Sequence, residues 1–106
     1  MARGHAIFDP IAERLCALPD VDMGRMFGTD GVRVRGKVFA FVAHNGSLVL
    51  KLPEERIGEI IADGTGAPMI MRGRPLREWA EITPETSGAW AGLVDEAHHF
   101  VDTITP

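Results

Sequence analysis

Apolar and polar residues alternate most regularly in the middle of the chain. Val32 and Val34 alternate with arginines, the period-two pattern of a strand with one solvated face. Residues 38–43 are continuously apolar, which is typical of a central strand covered on both faces. Asn45-Gly46 follows, a pair that favours a type I′ hairpin turn, and residues 48–52 alternate again. This part of the chain therefore predicts a meander of at least three antiparallel strands.

On both sides of the meander, apolar residues recur at three- and four-residue spacing, which predicts helices. The first helix has Asp9-Pro10 as N-cap and first helical position, with an earlier start near Gly4 as the alternative, and it ends before Pro19. The second opens at Pro53 and stops at Gly64. The predicted buried stripes are Phe8, Ile11, Leu15 and Leu18 in the first helix, Ile57, Ile60 and Ile61 in the second, and Trp90, Leu93, Val94, Ala97, Phe100 and Val101 in the last.

Three further segments are predicted to be short strands, namely residues 23–28, 69–71 and 76–82. The alternation in residues 76–82 is imperfect and leaves open which of its side chains share a face. Asp30-Gly31 supplies a turn between the first of these and the meander, and Ser87 is the expected cap of the last helix. The predicted order is α-β-β-β-β-α-β-β-α. We expect an α+β fold with three helices mainly on one face of an antiparallel sheet of about five to six strands.

The length of 106 residues fits one domain, residues 1–106, with a single hydrophobic core. No apolar run approaches the roughly 18 residues of a membrane span, and the first residues lack the apolar region of a secretory signal. A lone cysteine, Cys16, excludes an intramolecular disulfide framework. We interpret it as a buried structural thiol in a protein of the reducing cytoplasm.

The net charge of −4 argues against indiscriminate nucleic-acid binding, but the charges are segregated. The predicted strands are basic, whereas the second and third helices are acidic. The basic residues that form candidate contacts with a partner or a phosphate are Arg25, Arg33, Arg35, Lys37, Arg72, Arg74 and Arg77.

Several segments resemble the N-terminal domain of the TfoX/Sxy family. They are Arg25-Met26-Phe27-Gly28, Gly36-Lys37-Val38-Phe39-Ala40, Leu48-Val49-Leu50-Lys51-Leu52 and Arg77-Glu78-Trp79 before a terminal helix. The resemblance spans roughly residues 6–102 and implies a compact α+β domain. It also implies a role in regulating competence genes with a cyclic-AMP-responsive activator. The family's regulators carry a second, C-terminal helical domain, and the resemblance implies that these 106 residues correspond to the first.

The basic residues admit three interpretations. Arg33, Arg35 and Lys37 alternate outward, with Arg25 beside them, as a surface for phosphates or an acidic partner. Alternatively, the arginines pair with acidic side chains on neighbouring strands or helices. A third interpretation is a small anionic ligand held near residues 72–79, where arginines flank Trp79.

Candidate catalytic and metal-binding residues are few. Asp95 and His99 lie four residues apart on a predicted helix, next to His98, but nothing in the sequence supplies a third and fourth ligand. Ser47 and Ser87 lack a histidine or acid in a recognisable nucleophile motif. We therefore predict no catalytic residues, no metal and no cofactor.

These observations favour a non-enzymatic regulatory or protein-interaction domain. Its partner is a protein, and one possibility is a homodimer formed through an exposed sheet edge or the methionine-rich short strands. Direct nucleic-acid binding through the basic strands is the alternative, and we expect no association with a membrane.

Overall fold

The fold is described from a computed structural model, which covers residues 2–26 and 29–106, and the side chains of residues 4–24 and 30–106. In these ranges the chain forms three α-helices, six strands and one 3₁₀-helix. They are α1 (Ala2–Leu15), β1 (Val21–Met26), β2 (Thr29–Val34), β3 (Lys37–Val42), β4 (Leu48–Lys51), α2 (Glu54–Ala62), β5 (Ala67–Met71), β6 (Arg74–Ile82), the 3₁₀-helix (Pro84–Ala89) and α3 (Trp90–Ile104). The predicted α+β class and element order are confirmed.

The six strands form one antiparallel sheet in the order β1-β2-β3-β4-β6-β5. The first four form a meander that includes the three strands predicted between residues 32 and 52. The final hairpin then adds to β4 through β6 rather than through β5, because the α2 crossover carries the chain past the position beside β4. As a result, β1 and β5 are the two edge strands of the described sheet.

One face of the sheet carries the hydrophobic core. Val32, Ala40, Leu50 and Ala80 lie opposite one another on successive strands and are fully buried. Since directly opposed residues share a face, this row marks the core side, and apolar residues of all three helices pack into the same cluster. A register shift beside Val32 leaves Phe39 without an opposed residue, so Phe39 and Ala40 both enter the core.

The opposite face of the sheet differs from the sequence prediction for residues 38–43. In the described part of the chain, the buried apolar residues of the helices pack on the core side of β3. On the other side Phe41 and Val49 oppose each other and are nearly inaccessible, with the Trp79 ring 6.2 Å from that of Phe41. The continuous apolar run therefore arises from the bulge at Phe39 and from aromatic packing on the second face, not from a second layer of helices.

The first helix begins earlier than its predicted cap. It starts at Ala2, so the Asp9-Pro10 cap is wrong and the alternative start near Gly4 is confirmed. Pro10 lies within the helix and is exposed, whereas Phe8 is buried in the core, and this packing outweighs the backbone bond that Pro10 cannot donate. The helix ends at Leu15, which leaves Leu18 exposed rather than in the stripe.

Two predicted turns are wrong. Asp30-Gly31 lies within β2, opposite Arg25 and Gly24, and β1 begins at Val21 because Val21 is buried in the core. Residues 27–28, part of the predicted first strand, lie outside the described residues. In the β3–β4 connection only Gly46 has a positive φ, 86°, so the turn is not type I′. The amide of Gly46 donates to the Ala43 carbonyl, and the amide of Ser47 donates to the Asn45 side chain.

In the C-terminal half, several elements have bounds that differ from the predicted ones. The β5 strand includes Ala67 and Pro68, and β6 begins at Arg74, because the turn between them is only Arg72-Gly73. Ser87 does not cap α3, since it lies in the 3₁₀-helix, and α3 starts at Trp90. The α3 stripe is otherwise as predicted, with Phe100 half-buried, whereas Ile61 of α2 is exposed.

Candidate interaction surface

Arg33 is held in an ion pair across the β1–β2 ladder. Its Nε donates to Asp22 Oδ1 at 2.7 Å and its Nη2 donates to Oδ2 at 3.1 Å, the two-point geometry that suits a guanidinium and a carboxylate. Asp22 lies directly opposite it on β1. These bonds lower the pKa of Asp22 below its ordinary value. The Arg33 side chain also crosses Gly24, where an added Cβ would lie 2.7 Å from its guanidinium.

Arg35 fastens the end of α3 to the β2–β3 turn. Its Nη2 donates to the carbonyls of Asp102 and Thr105 at 2.8 and 2.7 Å, and its Nε donates to that of Pro106 at 3.1 Å. Its Nη1 lies 2.8 Å from the Asp102 carboxylate and 3.7 Å from that of Asp20. Carbonyls at the helix end, which have no partner within the helix, thus accept hydrogen bonds from a cationic side chain. Arg33 therefore stabilises the β1–β2 pair, whereas Arg35 stabilises the end of α3.

Three of the remaining basic candidates lie on or next to the β5–β6 hairpin. Arg72 and Arg74 are exposed at its tip, and neither forms an ion pair with another described side chain. Arg77 approaches Glu54 at 3.7 Å, and both side chains are mostly exposed. Lys37 is exposed at the start of β3, and the side chain of Arg25 lies outside the described side chains. The structure therefore brings Arg72 and Arg74 together but separates them from Arg33, Arg35 and Lys37.

Of the cavities lined by Trp79, the one that also includes Arg77 contains more acid than base. It has a volume of about 360 Å³ and is lined by Glu54, Leu76, Arg77, Glu78 and Trp79. Neither Arg72 nor Arg74 lines it. Two carboxylates beside one guanidinium do not favour a small anion.

A larger open groove of about 610 Å³ lies between α2 and α3. Leu52, Pro53 and Phe100 contribute its apolar lining. Its cation, Arg56, is already bound to Glu96 at 2.8 Å and to Glu59 at 3.0 Å. These carboxylates raise the pKa of Arg56, so its charge is neutralised within the fold.

The tip of the β5–β6 hairpin projects beyond the end of β4. β4 pairs with residues 79–82 of β6, so the tip segment Arg74–Leu76 pairs only with β5. A register shift leaves residues 77–79 without a β5 partner and separates the tip from the rest of the ladder. Arg72 and Gly73 have φ values of 54° and 79°, which is the geometry of a type I′ turn. The hairpin arm, residues 69–76, is thus a structured projection.

The outer side of the arm exposes apolar side chains on an unpaired strand edge. Ile70 is 52% exposed and Met71 is 38% exposed. The other edge strand, β1, also exposes Met23, but there the Asp22–Arg33 ion pair places charge beside it. Charged side chains protect an edge from added strands, whereas the middle of β5 is Met-Ile-Met.

Hydrogen bonding within the arm determines which backbone groups face outward. Residues that flank a two-residue turn form a hydrogen-bonded pair, here Met71 and Arg74, and the next pair, Ile70 and Pro75, does not. Pro75 has no N–H to donate, which agrees with this assignment. The N–H and C=O of Ile70 therefore point away from β6, toward the open edge. The sequence did carry a signal for this edge, since Pro68 and Pro75 are tolerated only where a strand needs no ladder bond.

Two of the candidate metal ligands on α3, His98 and Asp95, contact other parts of the fold. His98 packs edge-on against Phe39, with ring centroids 5.5 Å apart, and Asp95 pairs with Arg14 at 3.1 Å. Among the described residues, no group of three or more His, Cys, Asp or Glu side chains is placed to hold a metal ion. Cys16 is half-buried against the core, and its burial raises the pKa of the thiol.

Comparisons with known proteins add no relative. No protein-family model matches the chain, and no curated protein gives a significant match. The similarity to the TfoX/Sxy N-terminal domain therefore stays a prediction. None of the helices in the described part of the chain is long and apolar enough to cross a membrane.

Proposed function

We propose that this chain is a non-enzymatic interaction domain that binds an extended polypeptide segment along the open edge of β5. The observation that carries the proposal is the exposure of Ile70 and Met71 on an edge strand whose central backbone groups face outward. An extended peptide added to such an edge gains main-chain hydrogen bonds and buries alternate side chains.

The charges of the arm indicate the kind of segment that fits. Arg72 and Arg74 are exposed at its tip without partners among the described side chains. A segment with apolar residues at its centre and Asp or Glu at one end matches this surface. Nucleic-acid binding through Arg25, Arg33, Arg35 and Lys37 receives less support, because Arg33 and Arg35 are bonded within the fold.

Two sequence features support a regulatory, cytoplasmic role for such a domain. The resemblance to the TfoX/Sxy N-terminal domain implies a regulator rather than a catalyst. The single cysteine, half-buried in the structure, suits a reducing compartment.

Peptide display tests the proposal. Peptides selected on the wild-type domain should bind Ile70→Lys at least about tenfold more weakly, since Lys places a charge at the centre of the edge. Ile61→Lys is the matched control, because Ile61 is similarly exposed but lies on α2. Isothermal titration calorimetry supplies the affinities. If the selected peptides bind Ile70→Lys as tightly as wild type, the docking surface lies elsewhere.

A further inference from the structure

The β5 edge is complementary to itself. A two-fold axis that passes through a hydrogen-bonded pair of two identical antiparallel strands requires a central residue whose N–H and C=O both face the partner. In the strand Ala67–Met71, Pro68 lacks an N–H. The backbone N–H and C=O groups of Met69 and Met71 point toward β6, because these two residues form the hydrogen-bonded pairs of the ladder. Ile70 is then the residue that meets this requirement.

We propose that the polypeptide bound at this edge is a second copy of the same chain, paired antiparallel through β5 with Ile70 opposite Ile70 of the other copy. The inference rests on the proposed function and names its partner. Two reciprocal N–H···O=C bonds form at the axis. The sheet then continues from one copy into the other.

The side chains around the axis fit this register. Pairing about Ile70 places Met69 of each copy opposite Met71 of the other, on one face of the joined sheet. The two Ile70 side chains meet on the opposite face. Ile70 and Met71 are among the most exposed large apolar residues of the described chain. Cross-strand apolar pairs are the contacts that stabilise adjoining strands.

Charge supports a self-complementary arrangement as well. The two ends of β5 lie near charges of opposite sign, because Arg72 follows the strand whereas Asp63 precedes it at the end of α2. An antiparallel partner brings the basic tip of one copy toward the acidic α2 end of the other, twice by symmetry. A hydrogen bond from the Thr65 amide to Asp63 Oδ1, 2.8 Å long, holds that carboxylate in the connection that leads to β5.

Disulfide trapping tests the register. In a Cys16→Ser background, Ile70→Cys places two thiols across the axis, where Cα atoms about 5.5 Å apart permit a disulfide. Arg72→Cys is the control on the same edge, because its two copies would lie about 13 Å apart along the strands. We expect Ile70→Cys to form the linked dimer at least about tenfold faster under mild oxidation, since pairing holds its thiols together. Equal rates at both positions would overturn the register.

Sedimentation equilibrium provides a measurement without engineered cysteines. Wild type and Ile61→Lys should show a concentration-dependent dimer, and Ile70→Lys should remain monomeric. A wild-type chain that stays monomeric at every concentration overturns the dimer. In that case, loss of peptide binding by Ile70→Lys would still uphold the proposed docking edge, so the two failures are distinguishable.

Discussion

Arg33 and Arg35 show how two similar residues in one short segment take different structural roles. Arg33 lies in a regular strand, so its side chain meets the residue opposite, Asp22. Arg35 has a φ of 46° in the β2–β3 turn, and this backbone geometry directs its side chain to the end of α3. The sequence offered pairing within the protein as one of its alternatives. It contained no local signal that Arg35 contacts a helix more than sixty residues away.

Replacing each arginine by alanine should separate these roles. We expect Arg35→Ala to lower the free energy of unfolding by about 1–2 kcal/mol, because several helix-end carbonyls and Asp102 lose a charged donor. Arg33→Ala should lower the free energy of unfolding by less, since the ion pair of Arg33 with Asp22 is largely exposed. Urea denaturation measures both. Equal losses would contradict the assignment of Arg35 as the fastening of α3.

The ion pair of Asp22 predicts a pH dependence. The Arg33 guanidinium lowers the pKa of Asp22 in the folded state, so the pair stabilises the fold above the unfolded-state pKa of about 3.9. The contribution is lost as the pH falls through the lower pKa of the folded state. The difference in unfolding free energy between wild type and Asp22→Asn should therefore be constant near neutral pH and shrink in acid. In an Arg33→Gln background, Asp22→Asn should change the unfolding free energy at neutral pH by a smaller amount. An effect of Asp22→Asn that is the same in both backgrounds would contradict this role of the ion pair.

At the scale of elements, the core stripes were predictable and the turns were not. Leu93, Val94 and Ala97 follow the helical period and are buried. In contrast, among the described residues the type I′ geometry occurs at the Arg-Gly pairs 35–36 and 72–73, whereas Asn45-Gly46 adopts another geometry. Turn propensity was outweighed by ladder register, because the strands on either side must keep their apolar residues on the core face.

A close approach between two elements predicts the effect of a small substitution. A Cβ at Gly4 in α1 would overlap the carbonyl oxygen of Gly46 and lie 2.9 Å from its carbon. Because backbone rather than a flexible side chain blocks it, Gly4→Ala should lower the free energy of unfolding by about 1–3 kcal/mol. A Cβ at Gly92 in α3 would have no neighbouring atom within 4 Å. Gly92→Ala should therefore raise the free energy of unfolding by about 0.5–1 kcal/mol. Thermal denaturation compares the two, and similar effects would contradict this packing of α1.

At the scale of the molecule, the decisive feature is the position of β5. The chain order alone left open whether β5 or β6 pairs with β4, and only the placement of β6 beside β4 makes β5 an edge. This placement leaves the apolar middle of β5 without a neighbour on its outer side. The methionine-rich strands, predicted as a dimer contact, do include both edges of the described sheet. The function that we propose follows from the difference between those edges, one charged and one apolar.

Amide hydrogen exchange at Ile70, followed by nuclear magnetic resonance in dilute and concentrated samples, tests this claim most directly. The Ile70 N–H faces outward in the monomer, so it should exchange rapidly in the dilute sample and become protected as the concentration rises. The amide of Met71, bonded to β6 in either state, is the internal control. Protection of Ile70 that grows with concentration would establish the β5 edge as the site of strand addition. An Ile70 amide that exchanges equally fast in both samples, while another surface becomes protected, would contradict the account.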